Sequence, residues 1–254
     1  VKSIFEKYKG EIAALIMEPC DTEEPISNFL QEVRKLCTEY GVVYILDEMI
    51  TGFRWDLRGA CHYYGVEPDL VTFGKGMANG FSVAALGGKR DIMELGGLIP
   101  GKERVFLIST THGAEMSSLG ALIETINVYK ELNVTSHIWD IGKRLVSGFN
   151  EIAKEYSLQE YFYIEGAACS PNFVVCGKDK KASLEYRTVF LQEMLRNGIL
   201  MPYIAIAYEH TENEIDKTLE ATRKAIRLYN DALNADVKQF IVGNAIKPVF
   251  RKYN

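Results

Sequence analysis

The sequence predicts an α/β fold, with a large domain on a mostly parallel sheet and a smaller domain mixing helix with short strands. Three observations predict it. Short apolar runs at residues 12–17, 42–46 and 70–73 are separated by stretches long enough for crossover helices. The run at 42–46 is β-branched and apolar without alternation, as expected of a central parallel strand covered on both faces. After residue 112 the pattern turns helical, and a division near residue 134 is expected, giving a large domain over 1–133 and a small one over 134–254.

Each element has its own signal. Residues 12–17 read as a buried strand that stops at Glu18-Pro19, because proline cannot continue the ladder. Ile26, Phe29, Leu30, Val33, Leu36, Cys37 and Tyr40 recur at helical spacing, and Gly41 is placed to close that helix with a left-handed cap. The strand at 42–46 stops abruptly at Asp47-Glu48. The strand at 70–73 follows Pro68-Asp69 and runs into Gly74-Lys75-Gly76. A fourth strand is expected at 83–86, ending at Gly87-Gly88, and a fifth at 105–108, ending at Ser109-Thr110-Thr111.

In the second half, Leu119, Ile123, Ile126 and residues 128–132 mark one long helix. Ile138, Ile141, Leu145, Phe149 and Ile152 mark another. Short strands are expected around 173–176 and 204–208. Thr211-Glu212-Asn213-Glu214 is a capping box, opening a helix with Ile215, Leu219, Thr222, Ile226, Tyr229 and Leu233 on one face.

Composition excludes several classes of function. Of 254 residues, 47% are hydrophobic and 25% charged, ample for a sizeable core and unlike a disordered chain. Lys and Arg number 29 against 34 Asp and Glu, a net charge of −5, so no global field attracts a nucleic-acid backbone. No run approaches the roughly 18 apolar residues of a membrane span. The five cysteines are odd in number, widely spaced and without C-x-x-C, which argues against a disulfide framework or zinc site and fits a reducing cytoplasm. The four histidines are scattered, and no metal is expected. The chain opens on Val1 without a signal-peptide pattern and is expected to be part of a longer one.

Ligands in open α/β sheets bind beyond the carboxyl ends of the strands. Those ends deliver Glu18, Asp47-Glu48, Lys75 and Ser109-Thr110-Thr111 to one edge. Asp47 can serve a ligand, or it can cap the next segment or pair with Arg54. Lys75 sits in a glycine-rich stretch of low charge, Phe73 to Gly80. Partial desolvation there would lower its pKa and free the amine as a nucleophile; the alternative is an ordinary loop lysine. Thr110 and its neighbours offer hydroxyls and amides before a helix, which suits a phosphate or simply a cap.

Two similarities fail. Residues 96–103 resemble a P-loop, but Glu103 stands where a magnesium-binding Ser or Thr is needed and no strand precedes it. Neither G-x-G-x-x-G nor G-x-S-x-G occurs. Taken jointly, a lysine that can form an imine, an aspartate for a pyridinium nitrogen and a phosphate cradle are the parts pyridoxal phosphate needs.

These residues carry a resemblance. Tyr44-Ile45-Leu46-Asp47-Glu48-Met49-Ile50-Thr51-Gly52-Phe53-Arg54 resembles the Asp-Glu segment of class III pyridoxal-phosphate aminotransferases, closest to the branch that includes glutamate semialdehyde aminomutase. Pro68-Asp69-Leu70-Val71-Thr72-Phe73-Gly74-Lys75-Gly76 resembles their lysine segment. Ser109-Thr110-Thr111-His112-Gly113-Ala114-Glu115 resembles the segment whose threonine holds the phosphate of the neighbouring subunit's cofactor. Gly198-Ile199-Leu200-Met201-Pro202 and His210-Thr211-Glu212 resemble the C-terminal lobe.

The resemblance implies a fold of the aspartate-aminotransferase type (fold type I), incomplete at its N-terminus and followed by a smaller α+β C-terminal domain. It implies pyridoxal 5'-phosphate as cofactor and a cytoplasmic homodimer acting on a small amino donor and carbonyl acceptor. Lys75 would be the Schiff-base lysine and the catalytic residue, Asp47 would pair with the pyridine nitrogen, Met49 would lie against the ring, and Thr110 would take the phosphate position.

Ile50 stands where many members have Gln and where the aminomutase branch has an apolar residue, and Ala114-Glu115 replaces a frequent Asn-Pro. The family's N-terminal portion, with its phosphate loop and ring-stacking aromatic, has no counterpart in these residues. Three activities therefore stay open. They are transamination, intramolecular amino transfer of the aminomutase type, and a non-catalytic half or interaction fragment.

Overall fold

Strand β2 (Val43–Asp47) forms where the unbroken apolar run predicts it, and it organises the first part of the chain. The computed structural model describes residues 1–97, 103, 113 and 115–247. The chain divides into two compact units, Val1–Ser136 and His137–Asn254.

Among the described residues of the first unit, a four-stranded sheet has the order β1-β2-β3-β4. β1 (Ala14–Met17) and β3 (Leu70–Phe73) flank β2, both parallel to it. The register sets Met17 beside Leu46 and Asp47 beside Thr72. β4 (Ala85–Gly88) runs antiparallel on β3, outermost among the described strands and two residues later than expected. Gly87-Gly88 lies within this strand rather than ending it. A Cβ on Gly88 would stand 2.3 Å from the Asp69 carbonyl oxygen, so only glycine permits the approach.

Helix α1 (Lys2–Lys7) and helix α2 (Phe29–Tyr40) belong to the same unit. α2 ends as predicted at Gly41, which adopts φ 68°. Leu30, Val33 and Cys37 of α2 meet Tyr44 and Leu46 of β2, and Phe5 and Val66 complete this core. The opposite face of the sheet differs from expectation. Val43, Ile45 and Asp47 are only half-buried and Ile16 is 61% exposed, so these residues cover β2 fully on one side only.

Asp69 ties the start of β3 down. Its carboxylate accepts from the Tyr44 amide (2.7 Å) and pairs with Arg34 (2.7 Å) and Lys89 (2.7 Å). Short helices α3 (Ala60–Tyr63) and α4 (Arg90–Met93) follow β2 and β4. Helix α5 (Met116–Glu131) packs on the 3-10 turn Lys75–Met77. The strand expected at 105–108 lies outside the described residues.

Helix α6 (Val134–Glu155) leads into the second unit. There β5 (Phe162–Glu165) and β6 (Asn172–Val175) pair antiparallel, and α7 (Leu184–Arg196) packs on α8 (Glu212–Leu233). The core is aromatic: Phe149 stacks on Phe162 at 5.7 Å, and Phe190 touches both Phe162 and Phe173. The capping box at Thr211 and Glu214 forms as the sequence predicts. The strand expected at 204–208 does not. The Ala207 amide instead donates to His210 Nδ1 (3.1 Å), and among the described residues no strand forms over 204–208.

Candidate active site

The site is built where β1, β2 and β3 end side by side. Because Met17 pairs with Leu46, the next residues, Glu18 and Asp47, leave the same edge of the sheet. Strand alternation then separates the neighbours Asp47 and Glu48. Asp47 stays on the half-buried face, whereas Glu48 turns into the protein and is fully buried.

The Asp47 carboxylate is held at one oxygen. Oδ1 accepts from the Met49 amide (3.0 Å) and from the Thr72 hydroxyl on the adjoining strand (3.0 Å). Oδ2 has no hydrogen bond among the described residues, and the alternative pairing with Arg54 is not made. Asp47 thus caps the turn that follows it while keeping one oxygen available. Thr72 is a residue that sequence reasoning missed; its place three residues before Lys75 is the available signal.

Lys75 begins the turn at the end of β3 and adopts φ 46°, a left-handed conformation uncommon outside glycine. It is exposed. The expected desolvation is therefore not supplied by these residues, because Gly74 and Gly76 place no side chain over it. Lys75 makes no hydrogen bond or ion pair among the described residues, but its charge reaches Glu18. Partial desolvation, then the carboxylates of Asp21 and Asp47, push the Glu18 carboxyl up, and Lys75 opposes them. Glu18, Asp47 and Lys75 thus share one electrostatic neighbourhood.

Met49 links the two loops. A Cβ on Gly74 would stand 2.3 Å from Met49 Cε and 2.8 Å from its sulfur, so the thioether fills the space beside Lys75 that glycine leaves. Phe53, eight-per-cent exposed (8%), supports the same turn from below. Its ring meets Phe73 edge-on at 6.2 Å and Tyr129 at 5.7 Å, and its Cβ lies 3.7 Å from a Cβ built on Gly76.

Glu48 accepts from the Thr51 hydroxyl (2.6 Å) and the Ala60 amide (2.6 Å) on Oε2, and from the Cys61 amide (2.6 Å) on Oε1. Burial, then the Glu48 charge, pushes the Cys61 thiol up to about 12, which disfavours its thiolate. Thr110, with the rest of 104–112, lies outside the described residues. Among the described residues no group of three or more His, Cys, Asp or Glu could hold a metal ion. Nor, among the described residues, is any helix long and apolar enough to cross a membrane.

A family model described as aminotransferase class-III matches residues 1–226. The chain belongs to the class III aminotransferases. Among its relatives, the glutamate-1-semialdehyde 2,1-aminomutase of Clostridium tetani is 36% identical over 243 residues, covering 88% of this chain and 56% of the relative. That of Acetivibrio thermocellus is 33% identical over 236 residues, covering 87% and 53%.

Solved structures agree on the fold. One described as a transaminase with PLP bound superposes with a TM-score of 0.82 at 19% identity, covering 92% of this chain and 56% of that one. The FumI protein of Sphingopyxis sp. MTA144, in its PLP internal aldimine form, gives 0.77 at 23% identity, covering 92% and 55%. The fold is thus that of the type I pyridoxal-phosphate enzymes, and class III aminotransferases use pyridoxal 5'-phosphate. The chain spans about half the length of the curated relatives it matches.

Proposed function

We propose that this chain carries the lysine and aspartate part of an amino-transfer site. The protein would move an amino group from a small amino donor to a carbonyl acceptor with pyridoxal 5'-phosphate. One observation carries the reading: parallel β2 and β3 bring the Asp47 loop and the Lys75 turn to one edge, where Met49 packs on Gly74.

The residues fit the cofactor. A carboxylate with one oxygen anchored and one available suits a protonated ring nitrogen. A primary amine in an uncommon backbone conformation, beside a thioether and two glycines, suits a covalently held ring. When bound, pyridoxal phosphate supplies an aldehyde for amine exchange and a ring that accepts electrons.

In this reading Asp47 Oδ2 holds the proton at the ring nitrogen. Met49 lies against the ring and excludes water from that side. Lys75 Nζ would hold the cofactor covalently and would serve as the base that carries a proton during amino exchange. By the same resemblance Thr110 would serve the phosphate of the neighbouring subunit's cofactor, and the protein would act as a homodimer. Residues 1–133 would then be the C-terminal part of the cofactor-binding domain and 134–254 the small domain. The five cysteines are free, which supports a cytoplasmic setting.

A second reading, intramolecular amino transfer, is favoured by Ile50 and by the printed names of the curated relatives. The two readings separate on one requirement: an aminomutase turns over a single substrate with no added acceptor.

The test is borohydride trapping in the full-length protein, followed by peptide mass mapping. The label should sit on Lys75 and disappear in Lys75→Ala. An equal label in Lys75→Ala would overturn the assignment.

A further inference from the structure

Glu48 is a carboxylate at 0% exposure, and its hydrogen bonds among the described residues come from its own loop. Burial of a charge on this scale is costly unless it is fully hydrogen-bonded. Three bonds of 2.6 Å meet that need, from the Thr51 hydroxyl and the Ala60 and Cys61 amides. Gly59 is shaped to the same group: it adopts φ 92°, and a Cβ there would stand 2.7 Å from Glu48 Oε1.

The carboxylate holds Thr51, Ala60 and Cys61 of the loop, and the backbone of the same residue joins the strand ends. The Glu48 amide donates to the Thr72 carbonyl (3.0 Å), next to the hydroxyl that holds Asp47. The Glu48 carbonyl accepts from the Gly52 amide (2.9 Å), and Thr51 turns the chain so that Phe53 meets Phe73, Tyr129 and the Gly76 backbone under Lys75. Between these anchors lies Met49, seated on Gly74.

We infer that Glu48 is a positioning residue for the cofactor seat. Its buried carboxylate fixes the 48–61 loop so that Asp47, Met49 and the Lys75 turn are set before the cofactor arrives. The inference rests on the proposed function and deepens it. Glu48 touches no reacting atom; it acts through Met49 and Phe53.

The experiment is a pyridoxal-phosphate titration of full-length wild type, Lys75→Ala, Glu48→Gln and Thr51→Val. It follows the visible absorption band and, at saturation, the circular dichroism of the bound cofactor. Ile152→Ala, in the second unit's core, serves as a control for lost stability alone. Glu48→Gln is isosteric but sets an amide NH2 against backbone N–H groups. A dissociation constant weaker by about tenfold or more is expected, the size of one buried donor left unsatisfied. The cofactor dichroism at saturation should also fall, and Thr51→Val should move both in the same direction by less.

A purely structural role would lower the melting temperature, as Ile152→Ala does, and leave the saturated dichroism unchanged. That result, or wild-type affinity in a folded Glu48→Gln, overturns the inference. If Glu48→Gln does not fold, Thr51→Val decides by the same criteria, and failure of both to fold makes Glu48 a fold anchor and overturns it too. A wild type without a Lys75-dependent band removes the proposed function and the inference together. Wild-type behaviour of Glu48→Gln beside an intact band removes the inference alone.

Discussion

Met49 occupies the space that a side chain at residue 74 would need, its methyl carbon 2.3 Å from the position of a Cβ on Gly74. The obstruction is the flexible end of a methionine, not backbone. Gly74→Ala should therefore fold, at a cost of about 1 kcal/mol or less, by swinging the thioether aside. The displaced Met49 no longer lies beside Lys75, so affinity for pyridoxal phosphate should fall although stability hardly changes. Comparing Gly74→Ala with Met49→Ala and the double variant checks this. The two losses should be strongly sub-additive, and fully additive losses would remove the coupling.

Asp47 and Thr72 give a graded pair. Asp47→Asn keeps an oxygen for the Met49 amide and the Thr72 hydroxyl but cannot hold a proton at a ring nitrogen. Cofactor should still attach to Lys75, while amino transfer falls by about a hundredfold or more, the scale of a lost acid–base partner. Thr72→Val removes one of two anchoring bonds and should cost about 1 kcal/mol, with a milder loss of turnover. Single-turnover rates with the cofactor prebound separate the two effects. Equal losses in both variants would mean that Asp47 acts only as a cap.

Much of this was legible in the sequence where local chemistry decides. The runs at 42–46 and 70–73 became β2 and β3 because apolar β-branched residues leave a strand few alternatives. Gly41 closed α2, and Thr211 with Glu214 opened α8, because caps depend on neighbours within four residues. β4 was displaced because Gly87-Gly88 responds to the closeness of Asp69 and Leu70, which no local pattern reveals. Glu48 was not legible for a similar reason. Two of its partners are backbone amides 12 and 13 residues away, and an amide has no residue signature. The exposure of Lys75 and of Ile16 reflects which surfaces these residues cover, a property of the assembled sheet rather than of any segment.

Asp69 makes acid stability the last prediction. Burial works against its charge, but bonds from Lys89, the Tyr44 amide and Arg34 outweigh that and hold the carboxyl below its ordinary value of 3.8. A carboxyl lowered in the folded state stabilises the protein above the unfolded value and loses that contribution as pH falls through the folded one. Wild type should therefore lose stability below about pH 4, and Asp69→Asn should lack that increment of the acid slope. At neutral pH, Asp69→Asn should cost about 2–3 kcal/mol, because it strips the ion pairs from Arg34 and Lys89 and can set an NH2 against the Tyr44 amide. Urea unfolding of both proteins from neutral pH to pH 3 measures it. The two stabilities should converge as the medium becomes acid, and parallel curves would show that Asp69 is not the group whose protonation is felt.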